Sequence, residues 1–394
     1  MLKKLKYYDF TLIFTPILLT AFGLLMVYSS SMVTAVVEGN ESTYYLVKQL
    51  QWFSLGIIGF VFFSIFPYKY YQRLIKLIVL LTLFLLIGVL FFGTTINNAK
   101  SWFTIGSVSI QPAEFTKLGL ILYLASVYSK KQMYINDFNK GVLPPLIVTI
   151  VIVSLVILQP DIGTAAIILA IASAMILSSG IRLRHIFLLV SVAVVLIAVA
   201  IPQMITDVRV ARFTGAYQPF SAPDTDGYHL IQSYLAIGVG GLTGEGLGQS
   251  VQKLGYLMEA HTDFIMAIIA EELGFLGVVI VIGMLAIIVL RGFFIARKCD
   301  DSFGSLLSIG ISTMVGIQAT VNLGSISGIL PITGVTLPFI SYGGSSLFVL
   351  LISIGILNNV AMNVKHREHH QSESSEQSSS LQTVKHRGGI KWLN

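Results

Sequence analysis

Apolar residues fall in long blocks that are separated by short polar stretches, and this pattern predicts membrane-spanning helices. There are about ten blocks, each close to the ~20 residues that cross a bilayer. They cover Phe10–Ser31, Leu50–Phe66, Leu74–Phe92, Pro112–Tyr128, Val142–Leu158, Ile162–Gly180, His185–Met204, Thr262–Leu290, Phe303–Ile329 and Phe339–Val364. The predicted fold class is therefore an all-α integral membrane protein.

The positions of Lys and Arg predict which side of the membrane each connection faces. With the N-terminus inside, the cytoplasmic connections hold most of the cations, among them Lys69, Arg73 and Lys130. The outer connections hold only Lys48, Lys100, Arg209, Arg212 and Lys253. Both termini are thus predicted to be cytoplasmic, and a large loop, 205–261, between the seventh and eighth spans is predicted to be extracytoplasmic.

Composition agrees with a membrane protein and excludes several other classes. The chain is 55% hydrophobic and 11% charged, with a mean hydropathy of +0.81, which a soluble protein of 394 residues would not show. The net charge of +6 comes without a basic run interleaved with aromatic residues, so nucleic-acid binding is not predicted. The single cysteine, Cys299, excludes an intrachain disulfide and a Cys-rich zinc site.

Two regions are predicted along the chain. Residues 1–364 form the polytopic membrane domain, which we expect to carry the activity. Residues 365–394 are rich in Ser, Gln, Glu and His, so this segment cannot bury enough apolar surface to fold and is predicted to be a disordered cytoplasmic tail. A role for the tail in binding a partner stays open.

Acidic residues crowd the start of the eighth apolar block. Asp263 lies where this helix is predicted to begin, and the helix N-terminus would keep its carboxylate ionised. The alternative role for Asp263 is a simple N-cap. Because Glu259, His261, Glu271 and Glu272 fall in the same short stretch, we predict a functional site there. One of the two adjacent glutamates is expected to face the bundle interior.

Three further polar features accompany the spans. Glu114 and Lys117 are spaced to share one helix face, and they form either a structural ion pair or a binding site for an anionic headgroup. Asp161, in the segment LQPDIGT, suits a turn or a helix cap. The Gly-rich stretch AIGVGGLTGEGLGQS lacks the lysine and the strand–turn–helix frame of a phosphate loop, so nucleotide binding is rejected and the stretch is interpreted as tight re-entrant backbone that lines a cavity.

Five segments, in order, resemble the SEDS family of shape, elongation, division and sporulation proteins, and the resemblance extends from Phe10 to about Val364. The segments are NNAKSWFTIGSVSIQPAEFTK, LQPDIGT, AIGVGGLTGEGLGQSVQKLGYL, EAHTDFIMAIIAEELG and GILPITGVTLPFISYGGSS. Within the family, Gly248-Gln249-Ser250 is closer to the division-type branch than to the elongation-type branch. A sporulation-type member stays open.

The resemblance implies a GT-C-like membrane fold and a peptidoglycan glycosyltransferase that joins lipid II into β-1,4 glycan strands on the outer membrane face with inversion. It implies that Asp263 is the family's essential aspartate, which we expect to act as the general base. It also implies a class B penicillin-binding protein as a partner, together with other division proteins, and a place in the bacterial cell membrane at the division septum. No cofactor is predicted, and assistance from a divalent cation such as Mg²⁺ or Mn²⁺ is left open.

Residues within and beside the matched segments are expected to contact the substrate, with cations facing the leaving pyrophosphate. The predicted substrate-binding residues are Lys100, Trp102, Gln111, Glu114, Lys117, Arg209, Arg212, His261, Thr262, Glu272, Ser341 and Tyr342. Loop-forming roles are expected for Asp161, Gly343 and Gly344. The rival functions are a lipid II flippase, an elongation-type polymerase and a non-catalytic scaffold.

Overall fold

The structure is a computed structural model that describes residues 6–388 except 97–98, 107, 133–134, 136, 183, 186, 188–190 and 192–206, and it describes residues 105, 207–209 and 372–388 by their backbone only. The described α-helices are α1 (Phe10–Val37), α2 (Tyr44–Ile65), α3 (Tyr71–Phe92), α4 (Pro112–Lys130), α5 (Leu143–Ile157), α6 (Ile162–Ser178), α7 (Asp207–Tyr217), α8 (Tyr228–Gly240), α9 (Ile265–Lys298), α10 (Ser302–Ile326) and α11 (Gly344–Gly388).

Most of the predicted spans are helices in the structure. Seven described helical segments are long and apolar enough to cross a membrane. Two more helices, α4 and the shorter apolar α6, coincide with predicted spans. The predicted span His185–Met204 lies largely outside the described residues, so the count of ten spans stays a prediction. The protein is a mostly helical, multi-pass membrane protein.

One end of the bundle carries the N-terminus and most of the cations, and we call it the N-terminal face. Asp9 caps α1 and is almost completely buried, with Arg291 of α9 at 2.7 Å and Lys365 of α11 at 3.8 Å. The Tyr68 hydroxyl donates to Asp301 Oδ2 at 3.0 Å. Because a buried carboxylate requires compensating charge, these contacts join the first, ninth and last helices at this face.

The connection between α3 and α4 is a small antiparallel sheet, which the sequence analysis did not predict in this otherwise helical fold. Strands β1 (Thr94–Ile96), β2 (Ala99–Ile105) and β3 (Val108–Ile110) pair in the order β1-β2-β3. Thr94 lies opposite Trp102, and Phe103 lies opposite Ile110. The β-branched and aromatic residues of this short segment favour strands, and a connection between two spans need not be helical.

Helix α9 is broken at Gly274, where φ is 64° and ψ is −162°. The Gly-rich stretch satisfies the backbone groups that the break leaves open. Glu245 and Gly246 donate their N–H groups to the carbonyls of residues 271 and 272, both at 3.0 Å. The N–H of Phe275 donates to the carbonyl of Gly241 at 2.9 Å. The stretch is therefore tight backbone that closes a helix break, and Gly274 suits a φ that side chains rarely adopt. The re-entrant character of the stretch stays a prediction.

Helix α11 continues past Val364 to Gly388 in the described chain, and the division into a membrane domain and a disordered cytoplasmic tail stays a prediction. Side chains on the first turns after Val364 are held by the N-terminal face. Arg367 pairs with Asp300 at 2.6 Å, and Glu368 pairs with Lys298 at 2.9 Å. All four side chains are well exposed, so these two ion pairs contribute little to the stability of this helical segment.

Candidate active site

Three consecutive carbonyls fix the backbone that carries Asp263. The carbonyl of His261 accepts from the N–H of Tyr342 at 2.9 Å, and that of Thr262 accepts from the Ser341 hydroxyl at 2.6 Å. The carbonyl of Asp263 accepts from Asn322 Nδ2 at 2.8 Å. Since each donor belongs to α10 or to the 327–343 connection, the turn before α9 is locked to the neighbouring chain segment.

The Asp263 carboxyl group is half-buried and has no hydrogen-bond partner among the described residues. It faces the connection between α10 and α11, where a Cβ at Gly334 would lie 3.6 Å from Asp263 Oδ2. Burial is the main cause that raises the pKa of this carboxyl to about 7; the charge of Glu259 contributes in the same direction, and Arg212 opposes the shift. A carboxyl that lacks a partner and titrates near neutral pH is suited to proton transfer.

Two expectations about Asp263 are wrong. Asp263 is not the N-cap of α9, because the cap position is Phe264 and no side chain caps the helix. Its carboxylate is also not kept ionised by the helix N-terminus, since removal from water outweighs that favourable field. The raised pKa strengthens the case for a functional residue, because the simple capping role was the structural alternative.

The turn that precedes Asp263 holds backbone strain. Glu259 has a φ of 55°, which is uncommon for a residue other than glycine. Its carbonyl accepts from the N–H groups of Thr262 at 3.1 Å and Phe264 at 3.3 Å, and the Thr262 hydroxyl donates to Glu259 Oε2 at 2.7 Å. These bonds maintain the strained conformation, and strain of this kind is concentrated at functional sites. Thr262 thus shapes the turn through its described contacts.

Aromatic rings surround His261 beside this turn. The His261 ring lies 4.5 Å from the Tyr45 ring and 5.6 Å from the Tyr342 ring, measured between centroids. Burial lowers the pKa of His261, so its neutral form predominates at pH 7. Its Nδ1 atom is buried without a hydrogen bond. His261 and Tyr342 form one wall beside the Asp263 turn.

Glu114 and Lys117 form a buried ion pair inside the bundle. Lys117 Nζ lies 2.8 Å from Glu114 Oε1 and donates to Gln318 Oε1 at 3.0 Å, and Lys117 is only 2% exposed. Gln318 in turn donates to the Thr336 carbonyl at 3.3 Å. This arrangement matches the structural ion pair, and it also connects the pair to the connection that faces Asp263.

Asp161 and Gln111 lie beside the Glu114–Lys117 ion pair. Asp161 caps α6 by accepting from the N–H of Thr164 at 3.1 Å, as the sequence predicted. Gln111 donates to the other oxygen of Asp161 at 2.8 Å. Burial raises the pKa of Asp161, and the charge of Glu114 adds to the effect. The carboxyl groups of Asp161 and Glu114 therefore lie close together near the first turn of α4, with the Gln111 amide bonded to Asp161.

The two glutamates on α9 both face inward, although only one was expected to. Glu271 accepts from the N–H of Val251 at 2.7 Å and from the Ser250 hydroxyl. Glu272 is fully buried and pairs with Lys253 Nζ at 2.7 Å. Because both side chains hold the loop 250–253, the described contacts of Glu272 are structural rather than open to a substrate.

The remaining predicted residues are dispersed around the outer face. Lys100 donates to the Phe91 carbonyl at 3.2 Å and lies on the same strand as Trp102, against α3. Arg212 is exposed on α7 within electrostatic reach of Asp263, and the Arg209 side chain lies outside the described residues. Gly343 donates its N–H to Gln49 Oε1 at 3.3 Å, and Gly344 lies so close to the Trp52 ring that a Cβ would overlap it.

Sequence reasoning missed the residues that assemble the site. Gln318 and Asn322 lie one helical turn apart on α10, and they hold Lys117 and the Asp263 carbonyl. Gln49 on α2 donates to the Ser341 carbonyl at 3.1 Å. The available signal was an amide residue repeated at i and i+4 inside an apolar span, where a polar side chain requires a buried partner.

Comparison with known proteins places the chain in a family. The sequence profile of the FtsW/RodA/SpoVE family, described as "Cell cycle protein", matches residues 10–366. The chain therefore belongs to this family of membrane proteins, as the five motifs indicated.

Individual relatives refine the assignment. The chain is 51% identical to the "Probable peptidoglycan glycosyltransferase FtsW" of Bacillus subtilis (strain 168) over 93% of this chain and 94% of that protein. It is 38% identical to "Stage V sporulation protein E" of the same organism over 90% and 96%. The division-type relative is thus more similar than this sporulation-type one.

Two solved structures share the fold. The first, reported under "Structural coordination of polymerization and crosslinking by a peptidoglycan synthase complex", superposes with a TM-score of 0.74 at 29% identity and covers 91% of this chain and 98% of that chain. The second is the rod shape determining protein RodA of Thermus thermophilus, with a TM-score of 0.66 at 28% identity over 90% and 96% of the two chains.

Proposed function

We propose that this protein is a peptidoglycan glycosyltransferase that joins lipid II units into β-1,4 glycan strands at the outer membrane face, with Asp263 as the general base. The observation that carries the proposal is the Asp263 carboxyl group, which lacks a hydrogen-bond partner among the described residues on a backbone locked by three successive hydrogen bonds. Its pKa of about 7 adds support. The reaction class agrees with the names of the relatives.

The proposed reaction is a single displacement at the anomeric carbon of the donor sugar. The 4-hydroxyl oxygen of the acceptor GlcNAc forms the new bond to this carbon, and Asp263 accepts the hydroxyl proton. The bond from the anomeric carbon to the pyrophosphate oxygen breaks, and the lipid pyrophosphate leaves with the bonding electrons. General-base assistance of this kind contributes about 10²–10⁴-fold.

Cations near the outer face are proposed to stabilise the leaving pyrophosphate. Arg212 has the strongest support, because its charge acts on Asp263 while its side chain is exposed. Lys117 is buried in its ion pair, so direct contact with the headgroup requires the pair to open. Roles for Lys100, Trp102 and Arg209 stay predictions. No group of three or more His, Cys, Asp or Glu in the described chain fits a resident metal ion, so no step is derived through one.

A crosslinking partner and a site of action follow from the same proposal. The chain superposes on a component of a complex in which polymerization and crosslinking are coordinated. This similarity supports a class B penicillin-binding protein as the transpeptidase partner. The higher identity to an FtsW relative supports work at the division septum, with other division proteins, rather than along the elongating side wall.

Strand growth by the purified, reconstituted protein tests the proposal. Lipid II is supplied to the outer face of proteoliposomes, with and without a coexpressed class B penicillin-binding protein, and the glycan products are separated by length. We expect polymers in at least one of the two conditions. Movement of lipid II across the membrane without strand growth would instead identify a flippase, and the absence of both activities would favour a scaffold.

A further inference from the structure

A cavity of about 610 Å³ lies at the N-terminal face, on the side of the bundle away from Asp263. Three cationic side chains line it, Lys69 from the turn just before α3, Arg73 from the first turn of α3 and Lys130 from the end of α4. Gln72 and Asn363 add polar groups. None of these residues has a role in the proposed glycosyltransferase reaction.

The positive charge in this cavity is not neutralised by the described protein. No acidic side chain lines the cavity, and none of the described ion pairs includes Lys69, Arg73 or Lys130. The Arg73 guanidinium lies 5.1 Å from the centre of the Tyr70 ring, which positions the cation without cancelling its charge. Three like charges around one cavity repel each other, and an anion between them would remove that cost.

Two helix ends meet at the cavity with opposite fields, because the N-terminus of α3 is positive and the C-terminus of α4, which Lys130 offsets, is negative. Helix α3 begins at Tyr71, and its first turn holds no acidic residue. A helix N-terminus favours negative charge, so Lys69 and Arg73 occupy positions where a purely stabilising sequence would place Asp or Glu. The first turn and the three cations therefore favour the same ligand, an anion.

The surroundings of the cavity select a lipid over a soluble anion. Directly after Arg73, the outward surface of α3 is apolar, with Leu77 63% exposed and Leu81 55% exposed. This surface belongs to the membrane span Tyr68–Phe92, so the cavity lies at the level of the headgroups and acyl chains can follow the helix. Tyr70, at the rim, is the kind of aromatic residue that membrane interfaces favour.

From these observations we propose that this cavity binds the phosphate-containing headgroup of an anionic phospholipid in the cytoplasmic leaflet, with Lys69, Arg73 and Lys130 around the phosphate. Basic pockets between helices on the cytoplasmic side bind such headgroups in other membrane proteins. The lipid would join the start of α3, the end of α4 and the cytoplasmic turns of α11 through Asn363.

Native mass spectrometry of the detergent-purified protein tests this site. Phosphatidylglycerol is titrated into the full-length protein and into the triple variant Lys69→Gln, Arg73→Gln, Lys130→Gln. The matched control, Lys6→Gln, Lys140→Gln, Arg297→Gln, removes two lysines and one arginine that are exposed on the same face outside the cavity. Glycerol 3-phosphate is titrated in parallel as the soluble anion, and phosphatidylcholine as a lipid without net charge. The single variant Arg73→Gln guards against a folding defect in the triple variant.

Each cation that is removed should weaken phosphatidylglycerol binding about fivefold. We therefore expect roughly 100-fold weaker binding to the triple variant, about fivefold weaker binding to the single variant and wild-type affinity in the control. Equal losses in the triple variant and in the control would overturn the site, because binding would then reflect the overall charge of the face. Equal affinity for glycerol 3-phosphate and phosphatidylglycerol would overturn the assignment to a lipid. Equal affinity for phosphatidylcholine would overturn the role of the cations.

Discussion

The pKa of Asp263 makes a prediction about how polymerisation depends on pH. A base must be deprotonated to accept a proton, so the rate should rise with pH around a midpoint near 7, where the Asp263 carboxyl titrates. One unit below the midpoint about a tenth of the carboxyl is ionised, and one unit above it about nine tenths is ionised. The initial rate at low lipid II should therefore increase about tenfold between pH 6 and pH 8.

Two neighbouring charges allow the midpoint to be moved in opposite directions. Glu259 raises the pKa of Asp263 and Arg212 lowers it. Glu259→Gln should shift the midpoint to lower pH, and the glutamine oxygen can still accept the Thr262 hydroxyl bond. Arg212→Gln should shift it to higher pH. Each shift is expected to be a few tenths of a unit, because Arg212 is exposed and solvent screens its charge.

The assay is the initial rate of strand growth by detergent-purified protein from labelled lipid II across pH 5.5–9, with each variant's thermal midpoint recorded as a folding control. The variant Asp224→Asn, which changes an exposed acid on the same outer loop, serves as the matched control and should leave the profile unchanged. Midpoints that fail to move, or that move in the same direction for Glu259→Gln and Arg212→Gln, would refute Asp263 as the titrating base.

Three further predictions follow from buried charges. Lys117→Met leaves Glu114 buried without its partner and should lower the unfolding free energy, measured by thermal denaturation, by about 3–5 kcal/mol. Adding Glu114→Gln should restore most of this loss. A normal KM for lipid II in the double variant would limit the pair to a structural role. Lys253→Met leaves Glu272 buried without its partner and should lower the unfolding free energy by a similar amount. Adding Glu272→Gln should restore most of the stability, and an unchanged unfolding free energy in the single variant would contradict the buried pair. Because the folded protein binds a proton at Asp263 that the unfolded chain has released, Asp263 should lower the unfolding free energy as pH rises from about 3.8 to about 7, by about 4 kcal/mol at most. Asp263→Asn should remove this contribution in a pH series of thermal midpoints, and the raised pKa of Asp161 should leave a smaller fall in the same direction.

Features that depend on local sequence were predictable. Long apolar runs identify spans because a bilayer sets the length of a helix, and the described helices fall on nine of the ten predicted segments. The turn at Asp161 was also predictable, because a cap depends on residues only three positions apart. The same holds for the Glu114–Lys117 pair, since helix geometry alone brings them together.

Features that depend on contacts between distant parts of the chain could not be predicted from the sequence. The helical start of the tail contacts Asp300 and Lys298, which lie more than sixty residues earlier in the chain. The elevated pKa of Asp263 depends on burial by the connection that contains Gly334, and no sequence pattern near Asp263 gives this proximity. Ser341 and Tyr342 were expected to touch substrate, but their described bonds hold the Asp263 turn.

The central claim is that Asp263 removes the proton from the acceptor sugar, and single-turnover strand growth tests it most directly. Purified wild-type protein, Asp263→Asn and the matched control Asp224→Asn are each mixed with saturating lipid II. We predict that Asp263→Asn remains folded, still binds lipid II and forms glycosidic bonds about 10²–10⁴-fold more slowly, while Asp224→Asn matches the wild type. Bond formation at the wild-type rate by Asp263→Asn would contradict the account.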